Sequence, residues 1–448
     1  MASFLRIILI VCAYGFLKEF KPTEPYLYEY EHITLNISSQ VLSSEVYPIW
    51  TYAYLAFLIP VFLLTDILLY KPVALSYLTV WLLFDFGRSV LVQQILEGVY
   101  GVATATEIAY FAYIYMVVDR IWYKRVTSLS RGALLAGKFC SYTISQLIIV
   151  LKWGDYMTLN WISTVSLSLS LICALFLPMV SWRAAYERRF PLPMEEEEKN
   201  DRDEDTSYFI FAKKVISTMW RDTVQMYSDS FTFKWSLWWA LASCIDYQVQ
   251  NYIQTLWGSV QTEETQYNGI TEAVAPALSI PMVLFMERVN VKWRVWGEST
   301  MTVLSLVDAG ILLLLALTPS IFIMYGGYIV YRILYEAMIT ISQFNLASRL
   351  EKDSFGLLFG LNTFIALALQ TVLTLVVSDK KGPLHLSIRP QFYVYSGCHV
   401  VVGVIFGVSA FWTLFSSRGG KVATMQVEGD IPIRMTIGEE KESYVERL

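Results

Sequence analysis

The sequence predicts an all-α membrane protein with twelve transmembrane helices arranged as two six-helix bundles. The first observation is composition: 55% of the 448 residues are hydrophobic and only 16% are charged, whereas soluble domains have ~25% charged residues. Mean hydropathy is +0.46. Aromatic residues reach 15%, which is typical of proteins with Trp and Tyr at both membrane interfaces. The second and third observations are the number of apolar segments and the position of one charged segment between them.

Twelve apolar segments are long enough to cross a bilayer, for which a helix needs about 20 mostly apolar residues. The first of them also resembles the apolar region of a signal peptide, but it has no clear small-x-small cleavage motif, so we predict that it is retained as a span. The predicted spans are residues 3–20, 49–69, 73–92, 95–118, 132–151, 158–180, 234–257, 268–287, 299–317, 320–347, 355–377 and 391–415.

A charged segment separates the sixth span from the seventh. It reads RAAYERRFPLPMEEEEKNDRDEDTSYFIFAKK and is too polar to pack into a core. We therefore predict an N-terminal bundle over 1–180, a cytoplasmic central loop over 181–233, a C-terminal bundle over 234–415 and a cytoplasmic tail over 416–448. Six plus six helices around a central cavity is the major facilitator layout.

The distribution of Lys and Arg predicts the orientation. Basic residues concentrate in the loops after spans four, six, eight and ten, and such loops are usually cytoplasmic. Both termini are therefore predicted to be cytoplasmic, in the plasma membrane. The loop after span eleven is an exception, because it carries Lys380, Lys381 and Arg389. The sequon at Asn36 then lies outside, where glycosylation is possible.

Ionisable residues inside the predicted spans are candidate site residues, because such residues normally face a cavity or a partner. Three of them, Asp85, Arg88 and Asp308, are expected near span ends in contact with water. Arg332 and Glu336 are four residues apart on one helix face, so they either pair as structure or contribute to a site. The full set is Asp85, Arg88, Glu97, Glu107, Asp246, Glu272, Asp308, Arg332 and Glu336.

Two glutamates near the middle of the chain's fourth span indicate a cationic ligand. Glu97 and Glu107 are ten residues apart, close to three turns, so they share roughly one face. Tyr100 is close to that stripe, and Tyr113 follows six residues after Glu107. Carboxylates beside aromatic rings suit an organic cation, whereas an anion would need lysines or arginines at the same depth.

Several function classes find no support in the sequence. There is no Walker motif, so any transport would be secondary, and no HExxH or GxSxG motif suggests an enzyme. The five cysteines have no metal-ligand or CxxC spacing, and no basic stripe suggests nucleic acid. We predict no catalytic residues, no metal and no cofactor, with the lipid bilayer as the surroundings. A non-transporting receptor and a membrane-embedded enzyme are the alternatives from other classes.

Long motifs in both halves resemble the reduced folate carrier and thiamine transporter family of the major facilitator fold. The resemblance does not extend to the central loop or to the tail after about residue 415. The similar segments are YGFLKEFKPTEPYL, YPIWTYAYL, PVFLLTDILLYKPV, EGVYGVATATEIAYFAYIY, WSLWWALASC, YNGITEAV and FGLNTFIALALQTVLTLVVSD.

Two positions distinguish the branches of that family. Folate carriers have an arginine where this chain has Glu107 and a lysine where it has Gln370, and thiamine transporters have Glu and Gln there. The resemblance therefore implies a secondary transporter that moves thiamine, or a similar cationic vitamin, by alternating access. A folate transporter of the same family, or a carrier for a related small vitamin, is the alternative.

The resemblance also implies a set of substrate-contacting residues. Trp50, Trp81 and Asn251 enter the set through the resemblance alone, and Arg332 and Gln370 are added as the deep arginine and the branch-determining amide. The predicted set is Glu24, Trp50, Trp81, Glu97, Tyr100, Glu107, Tyr113, Asn251, Glu272, Arg332 and Gln370. The chain departs from the family pattern at Asp85, Arg88, Asp246, Pro276, Pro281 and Glu336, so thiamine itself and another organic cation both stay open as substrates.

Overall fold

The computed structural model describes residues 2–68, 86–105, 123–176, 221, 224–225, 227–262, 266–288, 293–347 and 355–419. These residues contain helices and turns but no strand, which confirms the predicted all-α class. The long helices are α1 (Ala2–Glu19), α2 (Tyr47–Leu68), α3 (Val90–Ala105), α4 (Tyr123–Val150), α5 (Tyr156–Leu175), α6 (Ser230–Gly258), α7 (Asn268–Arg288), α8 (Trp293–Leu317), α9 (Ile321–Ala347), α10 (Phe355–Val377) and α11 (Ile388–Gly419).

The described helices match the predicted spans except near the third and fourth. The third predicted span, 73–92, lies mostly outside the described residues, and its predicted end at 92 was wrong. The chain is non-helical over 87–89, and α3 already begins at Val90. Five of the described helices are long and apolar enough to cross a membrane: Gly132–Val150, Tyr156–Leu175, Trp293–Leu317, Gly360–Val377 and Ile388–Thr413. The total of twelve spans stays a prediction.

Helix α7 continues through both of its prolines. It runs from Asn268 to Arg288 with Pro276 and Pro281 inside it. A proline removes one backbone hydrogen bond, and neighbouring helices make this tolerable in a membrane bundle. The prolines therefore do not divide the predicted eighth span.

Short helical turns fill the connection between α1 and α2. They span Glu24–Tyr26, Leu27–Glu29, Tyr30–Thr34, Ser39–Val41 and Leu42–Val46. Tyr26, Tyr30 and Leu42 in this connection are completely buried. The side chain of Gln254 on α6 attaches it to the second half of the chain. Its amide nitrogen donates to the Glu24 carbonyl at 2.8 Å, and its oxygen accepts from the Tyr28 backbone N–H at 3.3 Å.

The N-terminal half (residues 2–176) and the C-terminal half (residues 227–419) meet where α4 packs against α7. The Gln146 side chain donates to the Gln266 carbonyl at 2.9 Å and accepts from the Ile270 N–H at 3.0 Å. Gly269 permits this close approach, since a Cβ there would lie 2.8 Å from the carbonyl oxygen of Tyr142. Small residues commonly let membrane helices approach in this way.

A second contact between the halves joins α2 to the end of α10. The Tyr52 hydroxyl donates to Asp379 at 2.5 Å, and Lys380 forms an ion pair with Glu45 at 2.9 Å. The start of α2, the end of α10, the start of α7 and the α1–α2 connection all lie at the same end of the molecule. We call this end, where the halves are hydrogen-bonded together, the sealed end.

The sealed end contains two buried acids, Glu29 and Glu31. Asn268 on α7 donates to Glu29 at 2.7 Å, and the Tyr47 hydroxyl donates to Glu31 at 2.7 Å. Tyr325 on α9 in turn donates to the Asn268 amide oxygen at 2.7 Å. Burial raises the pKa of Glu29 and of Glu31 to about 8, although the hydrogen bonds from Asn268 and Tyr47 act in the opposite direction. Both acids are therefore mostly protonated at neutral pH while the halves are joined.

The packing of α2 against α3 predicts an effect of enlarging Gly101. A Cβ at Gly101 would lie 2.7 Å from the Cβ of Ala53 and 2.8 Å from the Trp50 carbonyl oxygen. Because backbone cannot move aside locally, Gly101→Ala should destabilise the protein by about 1–3 kcal/mol, measured as a lower melting temperature. Gly310→Ala is the control, because a Cβ there meets nothing within 4 Å. Equal melting temperatures for the two variants would contradict this packing.

The raised pKa of Glu29 predicts a pH dependence of stability. In the folded protein with its halves joined, Glu29 keeps its proton up to about pH 8, whereas in the unfolded chain its pKa returns to about 4.5. The stability of the folded protein should therefore fall as the pH rises from about 4.5 to about 8. Each pH unit in that interval is worth about 1.4 kcal/mol for one such group. Glu29→Gln removes this proton exchange.

The measurement is the melting temperature of purified protein between about pH 5.5 and pH 7.5. We expect a smaller decrease in Glu29→Gln than in wild type, with a remaining slope from Glu31. Glu45→Gln, which alters a partly exposed ion pair at the same end, should keep the wild-type slope. A wild-type slope in Glu29→Gln would show that Glu29 is not protonated when the halves are joined.

Candidate functional site

Glu24 lies at the centre of a polar cluster in the N-terminal half. Its carboxylate forms an ion pair with Lys21. It also accepts hydrogen bonds from the hydroxyls of Tyr100 on α3, at 3.0 Å, and of Tyr142 on α4, at 2.7 Å. Burial opposes the charged form of Glu24, but the neighbouring Lys21 ammonium lowers its pKa overall. The turn that follows α1 therefore presents an ionised carboxylate between α3 and α4.

Lys21 occupies the position beside Glu24 that a cationic ligand would need. Its ammonium nitrogen is 3.5 Å from the Tyr100 hydroxyl and 5.6 Å from the centroid of the Tyr100 ring. The lysine thus makes the same combination of carboxylate and ring contact that is expected of an organic cation. A cation that took this position beside Glu24 would have to displace Lys21.

Glu97 on α3 is a second acid, and it is 4% exposed. It forms no ion pair within the part of the chain that the structure describes. Glu31 of the α1–α2 connection is close enough to interact with it electrostatically, which brings two carboxyl groups into one neighbourhood. Two acids that have no ion-pair partner among the described residues favour binding of a positive charge or of a proton.

The C-terminal half contributes a polar stripe along α9. Tyr325, Tyr328, Arg332 and Glu336 follow each other at helical spacing, so they share one face over roughly 16 Å. The Tyr328 hydroxyl lies 3.2 Å from each carboxylate oxygen of Glu272 on α7. The stripe connects the sealed end, where Tyr325 binds Asn268, to the middle of the C-terminal half.

Arg332 is held by two acids at the middle of this stripe. One terminal nitrogen donates to both oxygens of Asp246 on α6, at 2.7 and 2.9 Å, and the other donates to Glu336 at 3.0 Å. Asp246 is completely buried and also accepts from Gln250 at 2.6 Å. The sequence indicated Glu336 as a partner of Arg332, and the structure adds Asp246 through tertiary contact. Arg332 is thereby neutralised, and its contact with substrate stays a prediction.

Gln370, Asn251 and Trp50 have different surroundings. Gln370 on α10 is completely buried, and neither polar atom of its side chain has a hydrogen-bond partner among the described residues. Asn251 is half-buried on α6. Trp50 on α2 donates to Thr104 of α3 at 3.2 Å, a contact that joins these two helices.

Three predicted site residues, Trp81, Glu107 and Tyr113, lie outside the described residues, so their substrate contacts stay predictions. Asn36 is exposed in the α1–α2 connection and has a φ of 57°. This left-handed conformation is one that Asn tolerates better than most residues. Its glycosylation also stays a prediction.

Of the ionisable residues expected in contact with water near span ends, Arg88 lies where it was expected and Asp308 does not. Arg88 is exposed in the non-helical segment before α3. Asp308 is 4% exposed within α8. The apolar pattern could not show that α8 turns this acid toward the protein interior.

Several polar residues of the site were missed by the sequence analysis. The i, i+3 spacing of Lys21 and Glu24 was a signal that could have identified the pair. No local signal marks Tyr142 or Tyr328, because each meets its glutamate through contact between distant helices. Glu31 lies in a polar connection that offered no reason to expect burial.

Comparison with known proteins relates this chain to membrane transporters. The sequence profile of the reduced folate carrier family matches residues 2–394. "Folate-like transporter 3" of Caenorhabditis elegans is 48% identical over 426 residues, covering 92% of this chain and 99% of that protein. "Thiamine transporter 1" of Homo sapiens is 35% identical over 440 residues, covering 89% of this chain and 88% of that protein.

Solved structures of transporters share the fold. A POT family transporter in complex with a thioalcohol-conjugated peptide aligns with a TM-score of 0.63 at 12% identity, covering 93% of this chain and 97% of that one. At this identity the likeness concerns the fold alone, and it confirms the predicted major facilitator fold. The sequence family identifies the chain as a transporter and not an enzyme. The chain belongs to the reduced folate carrier family.

Proposed function

We propose that this protein carries thiamine, or a closely similar cationic vitamin, across the plasma membrane by alternating access. The observation that carries the proposal is the charge arrangement between the halves. Glu97 and Glu272 form no ion pair within the described residues, whereas the deep arginine, Arg332, is neutralised by two carboxylates. These charges therefore favour a cation over an anion.

The chemistry of thiamine suits this arrangement. Its thiazolium ring carries a fixed positive charge, which carboxylates attract and tyrosine rings stabilise through cation–π contact. Folate carries carboxylates, which the like charges of ionised Glu97 and Glu272 would repel. At Gln370, where the folate branch of the family has a lysine, the buried side chain is uncharged. The amide atoms of Gln370 have no hydrogen-bond partner among the described residues, so the position has unused hydrogen-bonding capacity.

The joined halves support a rocking mechanism. If both termini are cytoplasmic, the sealed end faces outward, and the described conformation is closed to the outside. Opening would separate α4 from α7 and α2 from α10, breaking the hydrogen bonds and the ion pair between them, which water can replace. The halves would then rotate about a site between them, as in alternating access. No ATP-binding motif is present, so transport would be secondary.

Folate transport is the alternative within the same family. The printed name of the Caenorhabditis elegans relative, "Folate-like transporter 3", favours it. The charges of the described site oppose it, because a folate carboxylate that binds Arg332 would have to draw it away from Asp246 and Glu336. Measuring uptake of labelled thiamine and labelled folate side by side distinguishes the two substrates.

The first test replaces Glu97 with glutamine. We expect wild-type protein to take up thiamine and negligible folate, and Glu97→Gln to weaken apparent thiamine affinity about tenfold, the effect of losing one charge-assisted contact worth roughly 1.5–3 kcal/mol. Surface expression is measured in parallel. Glu298→Gln is the matched control, because Glu298 pairs with a partly exposed Lys234. Folate uptake without thiamine uptake by wild type would refute the proposal.

The second test concerns orientation and Asn36. If the α1–α2 connection is extracellular, Asn36→Gln should increase electrophoretic mobility by removing one glycan. A C-terminal tag should bind antibody only after cells are permeabilised. A tag that is accessible on intact cells would reverse the proposed orientation.

A further inference from the structure

A cavity of about 270 Å³ lies beside Arg332 in the C-terminal half. It is separate from the Glu24 cluster and is bounded by α6, α9 and α10. Its lining combines two acids, one arginine and three large aromatic residues: Trp239, Asp246, Tyr247, Arg332, Tyr335 and Glu336. The mixture of charge and aromatic surface is unusual at membrane depth, where ionised residues generally have a function.

The charges of the cavity do not balance. Asp246 and Glu336 carry two negative charges, and Arg332 carries one positive charge. Asp246 and Arg332 alone would form a neutral buried pair, so neutralising Arg332 does not require Glu336. The additional carboxylate leaves the lining with a net charge of about −1 when all three groups are ionised.

Glu336 is the acid that a ligand can reach. Its side chain is 37% exposed, whereas that of Asp246 is 1% exposed. Both oxygens of Asp246 are engaged by Arg332, and one also accepts from Gln250. Glu336 uses only one carboxylate oxygen for Arg332 among the described contacts. The other oxygen can accept a charge-assisted contact from a ligand.

The arginine does not make the cavity an anion site. Both of its terminal nitrogens already donate to carboxylates, and its guanidinium carbon lies 5.7 Å from the centroid of the Tyr335 ring. An anion would have to break these contacts and would leave buried Asp246 unpaired, which is strongly unfavourable. A cation can bind Glu336 without disturbing the Asp246–Arg332 pair.

We propose that this cavity is a second binding station for an organic cation, recognised by the carboxylate of Glu336 and the rings of Trp239, Tyr247 and Tyr335. The inference extends the proposed function. Tyr328, whose hydroxyl contacts Glu272, lies on the same face of α9 as Glu336. Glu336 comes eight residues later, which corresponds to roughly 12 Å along the helix axis. The station therefore lies farther from the sealed end than Glu272, along the stripe on α9. A substrate leaving Glu272 in that direction meets Glu336 next.

The test measures the charge preference of the cavity without relying on transport. A single cysteine replaces Gln343, which lines the cavity, in purified full-length protein. The native cysteines are first changed to alanine: Cys12, Cys140, Cys173, Cys244 and Cys398. Reaction rates are compared for the cationic reagent 2-(trimethylammonium)ethyl methanethiosulfonate and the anionic reagent 2-sulfonatoethyl methanethiosulfonate, each normalised to its rate with a small free thiol.

We expect the normalised rate to be higher for the cationic reagent. Adding Glu336→Gln should reduce that preference roughly threefold or more, because one negative charge near the thiol is removed. Glu298→Gln, in an ion pair with Lys234 elsewhere on α6 and α8, should leave the preference unchanged. Thr363→Cys, on the α10 side of the cavity, repeats the measurement if Gln343→Cys does not react. The proposed cation station would be refuted if, at both cysteine positions, the two normalised rates were equal, the anionic reagent reacted faster, or Glu336→Gln left the preference unchanged.

Protection of the introduced cysteine by bound cations tests the station independently of the proposal that thiamine is the substrate. Thiamine should slow modification of the introduced cysteine when Glu336 is present. It should not slow modification when Glu336→Gln is added. Protection by tetraethylammonium but not thiamine, together with absent thiamine uptake, would support the cation station and refute thiamine as substrate. Normal thiamine uptake with no protection by either cation would refute the station and leave the proposed function intact.

Discussion

The energetic cost of an ionised side chain at membrane depth determines how this protein is built between its helices. Arg332 meets that cost through two carboxylates from two helices, and its ion pair with Asp246 links α6 to α9. Lys21 and Glu24 meet it through each other and through tyrosine hydroxyls from α3 and α4. Each charged cluster therefore also fixes the relative position of helices, and the polar residues that suit a ligand are the same ones that hold the fold together.

The same cost makes the sealed end sensitive to protonation. Glu29 and Glu31 lie in a connection that would ordinarily be wet, yet both are buried when the halves are joined. Burial of a neutral carboxyl costs little there, because Asn268 donates a hydrogen bond to Glu29 and Tyr47 donates one to Glu31. An ionised carboxyl would be stabilised by the water that enters when the halves separate. Proton binding at these acids and contact between the halves are therefore linked, and each favours the other.

Sequence patterns predicted what depends on periodicity and missed what depends on packing between distant helices. Segment hydropathy identified the all-α class and most helix positions, since each span must satisfy its own backbone. The pairing of Arg332 with Glu336 was accessible because the residues are four apart on one helix. The contact of Arg332 with Asp246 joins residues 86 positions apart, and no local pattern reports it. Asp308 was misjudged for a related reason: hydropathy locates an acid along a helix but not the face on which its neighbours bury it.

The position of Lys21 bears on how a cation would move between the halves. In the joined state Lys21 satisfies Glu24, and Gln254 of the C-terminal half binds the Glu24 carbonyl. In the proposed alternating-access mechanism, separating the halves at this end would remove the Gln254 contact and admit water around Lys21, which would lower the cost of replacing its ammonium by another cation. Closing the end restores the low-polarity surroundings in which the Lys21–Glu24 pair is strongest. If the substrate is a cation that contacts Glu24, as predicted, a lysine that competes with it in the closed state would release it from Glu24. The remaining acids include Glu272 and Glu336, which lie along the stripe on α9.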